Sequence, residues 1–417
     1  MWDPYGEIQT GQLPNGLTVH VATWPNRSWE YIGFVVHAGA RDDKVGKEGL
    51  AHFVEHLVQH NIFGLTGRDF KDFFEACGGQ AELATNFEGT KYSFFCPLEK
   101  SILRKSLDIF GKMILEARLV NQIEDQRQVI IGEFNNSFRI IKAYKIAKQD
   151  QEILYPGHWL SRFVTALGTP QSLKLIEPKD LQKFYDTYYN PANISVIAIG
   201  GLKPKEVLEL FEKSPFAKEK QGKRNKVLDK LEAVPLPSKN ILHRKGVDFF
   251  KTPLTTSSYF VRTVLPGTLN RFALRILQYM IYDYLHHEIR EKNSWVYRVD
   301  TKRKAYQDII EFEITIPDFM PELLPAVREV VDDCLQSIGN NQSLFDKNKD
   351  NRIKIIKMVD LSGKQFLDNV IDELVDLQKL TSLKEDLVSW QKLDIKDIQS
   401  ILKYFKKKQQ FIGILSP

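Results

Sequence analysis

The stretch GLAHFVEHLVQHNIFG, residues 49–64, carries His52, His56 and His60 at intervals of four, with Glu55 just before the second. Its apolar residues recur at helical spacing, so the segment reads as a helix. Each helical residue advances about 100° and ~1.5 Å, which puts His52 and His56 about 40° and one turn apart on one face. Glu55 falls about 60° to the other side of His52, inside the same sector. The pattern is H-x-x-E-H, the reverse of the two-histidine zinc motif H-E-x-x-H. Neutral imidazole nitrogen suits Zn²⁺, and a carboxylate left out of the ligand set can take a proton from a coordinated water. Histidines four apart also occur as plain surface residues, so the pattern needs support from elsewhere in the chain.

His60 extends the row but lies about 12 Å along the axis from His52, too far to share an ion with bonds of ~2.0–2.1 Å. It reads as a solvated or structural histidine. A catalytic zinc requires a third protein ligand and one open position. Helix geometry leaves Glu75, Glu82, Glu88, Glu124, Asp125 and Glu133 all open as that ligand.

The 417 residues are enough for two or three domains with buried cores. Hydrophobic residues make up 43% and charged residues 27%, the profile of a soluble globular protein. A net charge of +5, from 58 basic and 53 acidic residues, is too mild to imply nucleic acid. Cys77, Cys96 and Cys334 are too scattered for a disulfide framework or a thiolate zinc site, which favours a reduced, intracellular setting. The start, MWDPYGEIQTGQLPNG, shows no secretory pattern, and no apolar run reaches the ~18 residues of a membrane helix. The expectation is a cytoplasmic protein with no membrane partner.

Strand patterns occupy 13–22, 31–40, 90–98 and 193–201, with helical patterns at 69–79, 100–118 and 122–150. Residues 214–240 are polar, basic and proline-punctuated, and read as a solvated linker despite Lys218, Lys220, Lys223, Arg224 and Lys226. Beyond it come a strand at 255–265, a helix over about 270–292, a strand at 309–316 and further helices leading to QQFIGILSP. The two halves share an order of elements. The expected fold is therefore α+β, two similar domains (1–214 and 241–417, joined by 215–240), each a mostly antiparallel sheet with helices on one face.

Several separated motifs together resemble the pitrilysin family of inverted-motif zinc peptidases, relatives of insulysin and mitochondrial processing peptidase, and its short, dimer-forming branch in particular. They are LPNGL, then HAGARDD, then GLAHFVEHL, in order, followed by GGQAELATNFEGTKY (78–92), QRQVIIGEF (126–134) and IREKNSWVY (289–297). The resemblance implies one zinc per chain on His52, His56 and Glu133, the last standing 77 residues after His56. It implies Glu55 as general base, and Arg290 and Tyr297 as groups that stabilise the oxyanion or hold substrate. It also implies that peptide adds as a strand at the sheet edge formed by Glu82, Leu83, Ala84 and Thr85. The chain departs from the family pattern in three places, five residues in all. Gln126 stands where a glutamate is common, Glu82-Leu83 replaces Asn-Ala, and Ser294-Trp295 replaces Gly-Leu.

The implied activity is zinc-dependent cleavage of short or unfolded peptides inside a chamber closed by two subunits. Because this chain carries both the metal motif and the Arg/Tyr pair, a homodimer is expected rather than a heterodimer with a paralogue. The rival reading is a non-catalytic or weakly active family member serving as a partner subunit. Such chains lose metal ligands, whereas all three are kept here. The S-ribosylhomocysteine lyases also use H-x-x-E-H, but they are much shorter and lack the second-half motif.

Overall fold

The computed structural model describes residues 8–62, 67–138, 141–218, 222–225, 234–246, 255–358, 370, 374, 380 and 383–417. The chain divides into two compact units. The first comprises Met1–Arg139, Thr165–Val227 and Leu361–Lys384; the second comprises Ile140–Val164, Leu228–Asp360 and Glu385–Pro417.

The first unit opens with β1 (Gln9–Gln12), β2 (Thr18–Thr23) and β3 (Trp29–Val36), then α1 (Leu50–His60) and α2 (Gly67–Ala76). Next come β4 (Gln80–Thr85), β5 (Thr90–Pro97), α3 (Lys100–Leu115) and α4 (Ile123–Ser137). After α5 (Ile141–Leu154), which falls in the second unit, the chain returns as α6 (Pro170–Leu175), α7 (Pro178–Tyr188), β6 (Ile194–Gly200) and α8 (Pro204–Glu212). Its sheet has the order β1-β2-β6-β3-β5-β4, antiparallel except for the β2/β6 pair. One face, with Val19, Phe34, Phe94 and Val196, packs against Phe53 and Leu57 of α1 and Phe110 of α3. The other face buries Tyr31, Val35, Ile197 and Ile199 with Trp24 and Leu374. Burial on both faces explains why β6, ISVIAIG, is apolar except for Ser195 and buried throughout, which a strand with one wet face would not need.

The second unit contains β7 (Ile241–Lys245), β8 (Ser257–Pro266), α9 (Arg271–Leu285), β9 (Asp300–Ala305) and β10 (Ile309–Phe319). These are followed by α10 (Leu324–Ser337), α11 (Gln342–Met358), α12 (Leu383–Lys392), α13 (Ile395–Leu402) and β11 (Gln410–Ser416). The sheet order is β7-β11-β8-β10-β9, with only β7/β11 parallel. Its core joins Tyr259, Val261, Phe312 and Ile314 of the sheet to Leu277 and Ile281 of α9 and Val331 of α10. Each unit is thus an α+β layer of mostly antiparallel strands under helices, as expected.

Three local readings differ from the sequence expectation. The helix expected over 122–150 is two helices, α4 and α5, and α5 belongs with the second sheet. Asp150 of α5 pairs with Arg244 of β7 at 2.5 Å, and Tyr155 and His158 just beyond it bond to Glu311 and Asp308. The helix expected to run to 292 leaves α geometry after Leu285 and continues as a π-helical turn over His286–Lys292. Within the expected linker, Arg224 and Asn225 are docked on the first unit rather than solvated. Arg224 donates to Ser195 Oγ at 3.1 Å, and Asn225 Nδ2 donates to the His37 carbonyl at 2.9 Å. Lys220 and Lys226 lie outside the described residues.

Among the described residues, no helix is long and apolar enough to cross a membrane.

Candidate metal centre

α1 starts where the chain turns sharply at Gly49, whose φ is +96°. A side chain there would stand 2.6 Å from the Leu167 carbonyl oxygen, so both the backbone angle and the close approach require glycine. The first free N–H groups of the helix are met from outside it. Asp43 accepts from Gly49 N at 2.7 Å with Oδ2 and from Ala51 N at 2.8 Å with Oδ1, and its negative charge suits the positive helix end. At the other end Asn61 donates to Leu57 O at 2.8 Å and to Asn121 O at 3.3 Å, while Asn121 N donates back to Asn61 Oδ1 at 3.1 Å. That exchange ties the end of α1 to the residue pair preceding α4. On α4, Arg127 places its guanidinium over the Phe53 ring of α1, 5.2 Å from the centroid, and donates to the Leu173 carbonyl. α1 and α4 are therefore held at a fixed offset along their shared face.

Across that offset the polar groups converge. Glu133 of α4 puts Oε2 3.6 Å from His52 Nε2 and Oε1 3.6 Å from His56 Nε2. These separations exceed the ~2.7–3.2 Å of a hydrogen bond. They approach the roughly 3.4 Å between two ligand atoms on a tetrahedral zinc with bonds of ~2.0–2.1 Å. The donor set, two imidazole nitrogens and a carboxylate, is one that zinc takes. Single donor atoms of His52, Glu55 and His56 also lie within 4.8 Å of one another, so Glu55 competes with Glu133 for the third place. Glu55 Oε2 is slightly farther from His52 Nε2, at 3.8 Å, and already accepts the Thr85 hydroxyl at 3.2 Å. Glu133, which reaches both imidazoles, is the better third donor.

The imidazoles are prepared for this in different ways. Gln126 Oε1 lies 3.1 Å from His56 Nδ1. As an amide oxygen only accepts, it fixes the proton on Nδ1 and leaves Nε2 with a free lone pair. His52 is buried, and its Nδ1 has no partner among the described residues. Burial, followed by the neighbouring His56, lowers its pKa to about 3 and keeps the ring neutral. Glu55 is buried as well, and burial pushes its carboxyl up to about 7. His56 and the Thr85 hydroxyl oppose that rise, and Glu133 adds to it. His60 ends α1 with only partial burial and contacts none of these groups within ion-pair or hydrogen-bond distance.

β4, bearing Glu82, Leu83, Ala84 and Thr85, is the outer strand of its sheet and, among the described residues, pairs only with β5. Glu82 and Ala84 are exposed, while Leu83 and Thr85 turn to the covered side, where Thr85 meets Glu55. Arg290 and Tyr297 belong to the second unit. Arg290 sits in the π-helical turn with its guanidinium 5.0 Å from the Tyr297 ring centroid, and its Nη1 donates to His286 Nε2 at 3.1 Å. Tyr297 is 82% exposed, so it is no core aromatic. Ser294, at φ +54°, turns the chain between the two.

Sequence reasoning did not single out Asp43, Asn61, Asn121 or Arg127. The acidic pair in HAGARDD ahead of the helix was a usable signal for Asp43. The other three act through pairings between distant segments, for which no local pattern exists.

Two models of one peptidase family match the chain. The model described as "Insulinase (Peptidase family M16)" covers residues 19–138, and "Peptidase M16 inactive domain" covers residues 176–352. His52, Glu55, His56 and Glu133 all fall within the first. The chain is 27% identical over 206 residues to zinc protease PqqE of Helicobacter pylori, covering 48% of this chain and 45% of that protein. It is 30% identical over 208 residues to the beta subunit of mitochondrial-processing peptidase from Saccharomyces cerevisiae, covering 49% and 44%. The matched stretch thus spans under half the length of these curated relatives. The crystal structure of a protease from Helicobacter pylori superposes with a TM-score of 0.79 at 21% identity, covering both chains completely, which is a likeness of fold. With both family models matched in order and the fold shared end to end, the chain belongs to the M16 peptidase family, the insulinase and pitrilysin group.

Proposed function

We propose that the chain is a zinc-dependent endopeptidase acting on short or unfolded peptides. The observation that carries this reading is the convergence of His52 Nε2, His56 Nε2 and the Glu133 carboxylate, each imidazole 3.6 Å from a carboxylate oxygen, with Glu55 beside them. His52, His56 and Glu133 would hold the ion. When bound, zinc supplies Lewis acidity, which acidifies water and polarises a carbonyl. Glu55, held by Thr85, takes the proton from the attacking water and delivers it to the leaving amine. Gln126 keeps His56 in the Nδ1–H tautomer throughout. The open edge of β4 offers its backbone to an extended peptide, whose last bonded residues then lie beside Glu55. Arg290 and Tyr297, both exposed and stacked, supply donors to the oxyanion or to the substrate backbone.

The chain carries both the metal centre and the Arg290/Tyr297 pair, which supports a homodimer as the working form; a fully active monomer in solution would contradict that part. The activity itself is tested with a quenched, unstructured peptide. Wild-type protein is expected to cleave it and Glu55→Gln to lose activity by about 10³-fold or more, and equal rates for the two would overturn the proposal.

A further inference from the structure

The second unit gathers arginines at the start of α9. Arg271 and Arg275 stand one turn apart on that helix, a like-charge spacing that disfavours the helix. They also occupy its N-terminal half, where the helix dipole disfavours cations, and the first turn holds no acidic residue. Arg303 of the edge strand β9 joins them by donating to the Arg271 carbonyl at 3.0 Å. The fourth, Arg352, comes from α11. Its guanidinium lies 5.7 Å from the centroid of the Trp390 ring, which in turn meets Phe272 edge-on at 5.1 Å, and Phe272 carries Arg271 at 4.8 Å. Two of the four guanidiniums thus lie against an aromatic pair.

Compensation is sparse. Asp386 pairs with Arg271 at 3.0 Å. Among the described residues no carboxylate pairs with Arg275, Arg303 or Arg352, and Arg352 Nε is buried without a hydrogen-bond acceptor. All three are half-buried. Burial, then Arg275, pushes the Arg303 guanidinium down to about 10, and burial followed by Arg352 lowers Arg275. Guanidinium stays protonated near neutrality, so the crowding is borne as unfavourable energy that a bound anion would relieve.

We propose that Arg275, Arg303 and Arg352 form a binding site for a compact oxyanion of the phosphate class, carrying close to two negative charges. Forked guanidinium donors match phosphate oxygens two at a time, and the nearby start of α9 adds a favourable dipole. The site is independent of the zinc centre and does not rest on the proposed peptidase activity.

The test is calorimetric titration of inorganic phosphate into the full chain, with ionic strength held constant by sodium chloride. Saturable binding at one site per chain is expected, weakened roughly tenfold in Arg275→Gln/Arg352→Gln whose circular dichroism is unchanged. Should that double variant fail to fold, Arg303→Gln alone is expected to weaken binding in the same direction. Phenyl phosphate binding as well as phosphate would point to a phosphomonoester as the ligand, and its exclusion to the free ion. No saturable binding, undiminished binding in the folded variants, or citrate binding as tightly as phosphate would each overturn the assignment.

Discussion

His56 donates its Nδ1 hydrogen to Gln126 Oε1 across 3.1 Å, joining the helix of the H-x-x-E-H motif to the helix that carries Glu133. A neutral amide in this place orients the ring but lends the imidazole less basicity than a carboxylate would. Gln126→Ala is predicted to weaken zinc affinity by roughly tenfold and Gln126→Glu to strengthen it by several-fold. Competition against a chelating dye measures both, and unchanged affinity in both variants would contradict the role.

Asp43 holds the first turn of α1 through two backbone N–H groups. Asp43→Ala leaves both buried donors without an acceptor, at a cost of about 2 kcal/mol or more. Chemical denaturation should show that loss, whereas a change below about 0.5 kcal/mol would mean water replaces the carboxylate freely.

Glu30 of β3 is wholly buried, with Oε2 accepting from Leu202 N at 3.2 Å and Oε1 unpartnered among the described residues. Burial raises its carboxyl to about 8 from 4.5, against the pull of the Leu202 and Gly201 N–H groups. The folded chain therefore binds this proton more tightly than the unfolded one. Its contribution is fully present below about pH 4.5 and is lost as pH rises toward 8, by at most about 1.4 kcal/mol per pH unit. Urea midpoints of Glu30→Gln should gain on wild type across that window. Parallel profiles would refute the assignment.

Glu82 is exposed on the outer strand β4. If peptides add there, Glu82→Lys should lower kcat/KM for basic peptides by a few-fold and raise it for acidic ones, in keeping with a surface charge pair of under about 1 kcal/mol. Identical selectivity would place the substrate elsewhere.

The grouping of His52, Glu55 and His56 was legible from helix periodicity alone, because it lies within two turns of one element. Glu133 was not, since its place depends on the docking of α4 on α1 through Asn61, Asn121 and Arg127, contacts between segments some 60 residues apart or more. Family resemblance supplied it instead. Edge strands escaped the pattern for a related reason: β9, DTKRKA, is almost wholly polar and is a strand only because β10 pairs with it. The passage of α5 into the second unit was equally hidden, as Arg244, which pairs with Asp150, and Glu311, which accepts from Tyr155 just past the helix, lie about 90 residues or more downstream.

The proposed chemistry depends first on which side chains hold the metal. Zinc content per chain after loading and exhaustive dialysis should be one in wild type and in Glu55→Gln, and close to zero in His52→Ala/His56→Ala and much reduced in Glu133→Ala. Stoichiometric zinc in the folded double-histidine variant, or its loss in Glu55→Gln with retention in Glu133→Ala, would contradict the assignment of ligands and base.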